Sequence, residues 1–193
     1  MINSMAELMK RTIRKAQADT RVAMPARILS YDAGSRLARI QILQPELTED
    51  GQTVTQPVIT DVPVFMPIGG GASVTFPVGA GDEGIVWFAD QDIGAWAADG
   101  NPIPDSGRRH SLSDAMFMPA QGRGAASADN LVISFGGASI VIAPSGVVTI
   151  TAAAGVVIDG DVTVNGTIDA TGNVTGAGVS LQTHTHGGGP VPD

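Results

Sequence analysis

The sequence predicts a mainly β protein in two parts: a small barrel behind a short amphipathic helix, then a solenoid or β-helix built by several chains. Three observations predict it. Short apolar runs separated by turn residues fill most of positions 21–118. From Ile140 to Gly176 one parity of residues is apolar or small, apart from a Pro-Ser-Gly turn, in a repeat that shortens from eight residues to six. Composition also shifts along the chain. Eight of the eleven Lys and Arg lie in residues 1–50 and none follows Arg123, while the last 70 residues hold 13 glycines and one aromatic, Phe135.

Met5, Leu8, Met9, Thr12, Ile13 and Ala16 recur at helical spacing, with Lys10, Arg11, Arg14 and Lys15 between them. This spacing predicts one amphipathic helix within residues 1–20. Its apolar face either packs on its own domain or serves as a docking arm for a partner or a neighbouring subunit. No apolar h-region follows "MKRTIRK", so the expectation is synthesis in the cytoplasm without a secretory leader.

Residues 21–118 are expected to form the barrel. "ARILSYDAGSRLARIQIL" (26–43) reads as a hairpin turning at Asp32, Ala33 and Gly34. Further strands are expected at "VITDVPVFM", "ASVTF" and "EGIVWFAD", with turns at Pro67, Gly69–Gly71 and "PVGAGD" and no clear second helix. Length and strand count allow a five-stranded OB-type barrel. Many such barrels bind single-stranded nucleic acid on a basic, aromatic groove. Here the net charge is −8 and residues 51–107 contain no Lys or Arg, so phosphates would be repelled and no nucleic-acid partner is expected. Trp87 and Phe88 read as barrel interior and packing between subunits.

Residues 119–180 carry the repeat. The even pairs are Ile140/Ile142, Val148/Ile150, Val156/Ile158, Val162/Val164, Ile168/Ala170 and Val174/Gly176. From Asp159 to Thr175 the odd positions are Asp, Asn or Thr. Period-two alternation puts the two sets on opposite faces of an extended chain. Such short strands cannot bury an apolar face alone, which points to copies around an axis, best of all a homotrimer. The even side chains shrink from Ile158 through Val164 and Ala170 to Gly176, so the prism should taper.

Residues 181–193, "LQTHTHGGGPVPD", would form the apex. His184 and His186 share a parity, and neutral imidazole is a ligand for Zn, Cu, Fe and Ni. Three such pairs meeting on an axis would offer six nitrogens, which suits an octahedral ion such as Fe(II) better than tetrahedral Zn. Val179 and Leu181 are apolar at odd positions and break the parity that leads to the histidines. A bulge or kink near Gly176–Gly178, and a second before His184, would reconcile the two. The chain has no cysteine, hence neither disulfides nor thiolate ligands. His110, in "GRRHSLSDA", reads as a loop or barrel-edge residue without chemistry. No catalytic constellation or phosphate loop is recognisable, so no enzyme activity is expected.

Three stretches together, "DVPVFMPIGGGASVTFPVGAGDEGIVWFADQDIGAW" (61–96), "GRRHSLSDAMFMP" (107–119) and "GDVTVNGTIDATGNVTGAGVSLQTHTHGG" (160–188), resemble the central spike, or baseplate assembly protein V, family of contractile-tailed bacteriophages. The resemblance covers roughly residues 22–188. It implies a homotrimer with an N-terminal OB-fold collar, an intertwined β-helix and an apex where an HxH motif from each chain holds iron. The matching positions are His184 and His186, and other axial ions are known in such spikes. It further implies a place at the tip of the tail baseplate in the virion, contact with hub or baseplate proteins through the N-terminal part, and the bacterial outer envelope as target. The sequence leaves open the equivalent tip of a phage-like bacteriocin or secretion system, and a trimeric receptor-binding fibre.

Overall fold

The computed structural model describes residues 4–18, 20–48, 50–120, 124 and 126–184. The chain is mainly β and divides into two compact units, residues 1–125 and 126–193.

The first unit begins with helix α1 (Met5–Ala18). Ser4 starts it: its carbonyl accepts from Leu8 N–H and its hydroxyl from Glu7 N–H at 3.3 Å, satisfying donors that a helix start leaves open. Met5, Leu8, Met9 and Ile13 stay 44–69% exposed, so within one chain the apolar face of α1 is not covered.

Strands β1 (Ala23–Asp32) and β2 (Leu37–Ile42) form the predicted hairpin, with Asp32 Oδ1 accepting from Gly34 N–H in the turn. A small ribbon, β3 (Glu46–Leu47) with β4 (Thr53–Val54), leads to β5 (Val58–Pro63). A second ribbon pairs β6 (Ile68–Gly69) with β7 (Ala72–Ser73) around Gly70 and Gly71. Both glycines have positive φ (59° and 81°), the conformation a two-residue hairpin turn needs. The strand expected at "ASVTF" is limited to its first two residues, because Val74 N–H closes the ribbon on the Pro67 carbonyl and pairs no further.

Strand β8 (Glu83–Phe88) then packs between β1 and β9 (Ala115–Pro119), completing a five-stranded antiparallel sheet in the order β5-β2-β1-β8-β9. The sheet curls into a half-barrel whose outer strands approach each other. Val64, just after β5, makes a parallel bridge with Phe117 of β9, and Phe65 N–H donates to the Phe117 carbonyl at 2.8 Å. The concave face is the core: Ala26, Ile28, Ala38, Ile40, Ile42, Val86, Phe88, Ala115 and Phe117 alternate inward along their strands. Ile59 and Val62 are both buried although three residues apart. The register slips between them, and Asp61 takes the left-handed conformation (φ 58°) of a bulge.

Gly84 makes the tight pairing of β8 with β9 possible. A Cβ there would overlap the Met118 carbonyl oxygen and sit 2.6 Å from Phe117 Cζ.

A second helix, α2 (Gly94–Asp99), was not expected. It is short and ends on Gly100, whose left-handed φ of 83° lets its N–H reach the Trp96 carbonyl.

The second unit opens with a three-stranded antiparallel meander, β10 (Leu131–Phe135), β11 (Ala138–Ile142) and β12 (Val148–Thr151). Its register aligns Ile133 with Ile140 and Ile150, and Leu131 with Ile142 and Val148. Residues directly opposite share a face, so one face of the meander is wholly apolar, with Phe135 opposite Ala138 at its end. The other bears Ser134, Ser139, Thr149 and Thr151, with Val132 and Val141. Beyond β12, residues 152–174 carry no strand within the single chain.

Candidate functional site

The second unit's first distinguishing property is uncovered apolar surface in register. Leu131 and Ile133 are each 61% exposed, Ile150 57%, Ile158 64% and Ile168 74%. Along 152–174 the single chain supplies no strand against which these residues could pack.

The last described segment is a hairpin. Strands β13 (Thr175–Gly176) and β14 (Val179–Ser180) pair around Ala177 and Gly178, both with positive φ (49° and 81°). The chain therefore reverses where a bulge or kink was expected. This accounts for the parity break: Val179 lies opposite Gly176, and Leu181 N–H donates to the Val174 carbonyl at 2.8 Å. After the reversal, odd residues occupy the face that even residues held before it. Val179 and Leu181 extend the apolar face and add bulk beside Gly176.

A turn over 181–183 leads to His184. Its backbone N–H donates to the Ser180 carbonyl (3.0 Å), and its Nδ1 lies 2.9 Å from the Leu181 carbonyl oxygen. A carbonyl can only accept, so Nδ1 carries the proton in that bond. Metal-binding histidines commonly donate their other ring N–H to a carbonyl in the same way. One imidazole held in this way is a candidate donor to a first-row metal ion. His186 lies outside the described residues. Among those described, no group of three or more His, Asp or Glu side chains gathers to hold a metal.

Sequence reasoning missed an ionic cluster in the first unit. Asp92 and Asp114 are buried, and Arg108 spans them: Nη2 is 2.6 Å from Asp92 Oδ1 and 3.2 Å from Asp114 Oδ1. Asp92 also accepts from Ser106 Oγ (2.6 Å) and Gly94 N–H (2.9 Å), and Asp114 from Ile93 N–H (3.1 Å). The Ser106 hydroxyl foremost, then Gly94 N–H and the Arg108 charge, hold the Asp92 carboxyl below the usual carboxylate range. Its bond to Asp114 foremost raises the Arg108 pKa. Every carboxylate oxygen in the cluster has a donor, so it anchors the loops around α2. Next to it, His110 (φ 50°) places Nε2 3.3 Å from Asp90. Phe65 stacks on Trp96 (centroids 6.3 Å apart, 8° between planes) at the edge of an apolar groove of about 420 Å³.

Residues 24–120, 97 of the 193, match the family described as the phage protein Gp138 N-terminal domain. The curled β unit with this match defines a phage structural protein, a component of the virion. The chain belongs to the Gp138 N-terminal domain family, whose match spans just over half of its length. No curated protein matches the chain. Among the described residues no helix is long and apolar enough to cross a membrane.

Proposed function

We propose that the protein is the envelope-piercing central spike of a contractile phage tail. Three chains associate, and their segments up to Ser180 wind into one intertwined β-helix with the apolar faces inward. The observation that carries this reading is the register-matched apolar face of the second unit, uncovered from Leu131 to Ile168 in one chain. Such a face is stable only when covered, and identical copies have the matching period. The order β5-β2-β1-β8-β9, with a parallel bridge near the outer strands, supports an OB-type collar for the first unit. The exposed face of α1 is available for hub or baseplate contact.

Iron at the apex would be held by His184 and His186 of each chain. The ion would link the three chains to one another at the apex. The protein's own contribution is to hold His184 as a prepared ligand and to keep the apex dry with Val179 and Leu181. No bond in the target is made or broken; the work is mechanical and depends on rigidity.

The test is combined mass and metal content of protein purified without an affinity tag. Sedimentation should give three times 19.6 kDa, with about one iron ion per three chains. A stable monomer would sink the assembly, and one metal ion per chain would sink the shared site. Replacing His184 and His186 by Ala should abolish iron while leaving the trimer mass unchanged.

A further inference from the structure

From the hydrogen bonds of the apical hairpin we infer that Asn173 is a positioning residue for His184, fixing its tautomer and orientation from eleven positions earlier in the chain. The inference rests on the metal-holding role proposed above, and it names a residue with no ligand atom of its own in the site. Asn173 Oδ1 accepts from Ser180 Oγ (2.8 Å) and Gln182 N–H (3.4 Å), while its amide nitrogen donates to Thr175 Oγ1 (3.3 Å). One side chain just before β13 thus holds the returning chain at Ser180 and at Gln182. Ser180 passes the constraint on: its hydroxyl oxygen accepts from Thr183 N–H (3.1 Å), and its carbonyl accepts from His184 N–H (3.0 Å). The turn so fixed presents the Leu181 carbonyl to His184 Nδ1 at 2.9 Å.

Histidine free in water favours the proton on Nε2, the nitrogen a metal would need here. Holding it on Nδ1 requires an acceptor at a set position, and the Leu181 carbonyl has that position only while the turn is closed. The chemistry selects an acceptor at residue 173. Asp retains an oxygen that can accept from Ser180 and Gln182; Ala retains none.

The test compares the unsubstituted trimer with Asn173→Ala, Asn173→Asp and Ser180→Ala, the last removing the same clamp from its other side. Protein labelled with ¹⁵N-histidine carries only three histidines to assign. In the metal-free trimer above the imidazole titration range, His184 should show the Nδ1–H tautomer. Asn173→Ala and Ser180→Ala should move it towards Nε2–H, and Asn173→Asp should restore it. In the loaded trimer, iron loss to a chelator should accelerate by about tenfold or more in the first two variants and less in the third. Sedimentation of each variant checks that the trimer persists. An unchanged tautomer and unchanged iron loss in both clamp-breaking variants overturn the inference. Absence of iron from the unsubstituted trimer overturns the site and the ligand role with it. That outcome is distinguishable because the tautomer is read without metal.

Discussion

Ile150→Asp separates a self-associating chain from a solitary one. Ile150 sits on the apolar face of the meander, opposite Ile140, and is 57% exposed in a single chain. For a monomer, a polar residue at so open a position should change stability by no more than about 0.5 kcal/mol. For three chains packed face to face the sum is different. Full burial of an Ile side chain is worth about 1.5–3 kcal/mol, so roughly 1–1.5 kcal/mol of burial remains to be gained at Ile150 in each chain. The substitution forfeits that gain three times. It also forces three carboxylates together in an apolar interior, at a cost of several kcal/mol each unless they take up protons. The trimer should therefore dissociate. Sedimentation velocity and thermal unfolding read the result, with Thr149→Asp as control because its side chain lies on the opposite face of the same strand. Thr149→Asp should sediment as the unsubstituted protein does. If Ile150→Asp does the same, the apolar face is not an assembly surface and the reasoning fails.

The first unit yields three further predictions. Gly84→Ala should destabilise the half-barrel by at least about 2 kcal/mol, since a methyl group there collides with the Met118 carbonyl and the Phe117 ring; denaturant unfolding measures it, and a neutral effect would show that β9 can shift aside. Arg108→Ala leaves two buried carboxylates without their shared cation and should lower the Tm of the first unit by on the order of 10 °C, with Arg108→Lys recovering only part of it. Because the Asp92 carboxyl is depressed in the folded state, its contribution is complete above the ordinary carboxylate range, about pH 4, and is lost as pH falls through the lower folded value. Ser106→Ala should flatten that acid-side loss in a series of melts, and an unchanged slope would remove Asp92 from the account.

The parts of this fold legible from sequence are those set by a short period. Helix α1 follows from apolar residues at helical spacing, and the sheet of the first unit from alternation, because burial on one face repeats every second residue. The parts that escaped depend on single backbone conformations or on distant partners. Ala177 takes a left-handed turn that Asn or Asp would have announced and Ala does not, so the reversal looked like an unexplained break in parity. The slip at Asp61 hid in the same way. Asp92, Arg108 and Asp114 meet only because the loops around α2 fold over one another, and nothing in their spacing marks them. His184 was visible as a candidate ligand, but its Nδ1 bond to Leu181 needs the turn that follows the hairpin. Residues 152–174 have a legible period and no strand in one chain, which is what a period of contacts between chains, as proposed above, would leave.

Under the proposed assembly, that last feature gives the protein two folding steps of different molecularity. The half-barrel encloses its own core, so it can form as soon as one chain has left the ribosome, at a rate indifferent to concentration. The repeat segment would then have to wait for encounter, so its rate would rise with the number of chains nearby. Between the two steps each chain would carry a sticky apolar ribbon. Dilute expression would therefore favour chains that finish one half and are lost to aggregation or proteolysis before finishing the other. Yield of assembled protein should climb more steeply than the amount of chain made.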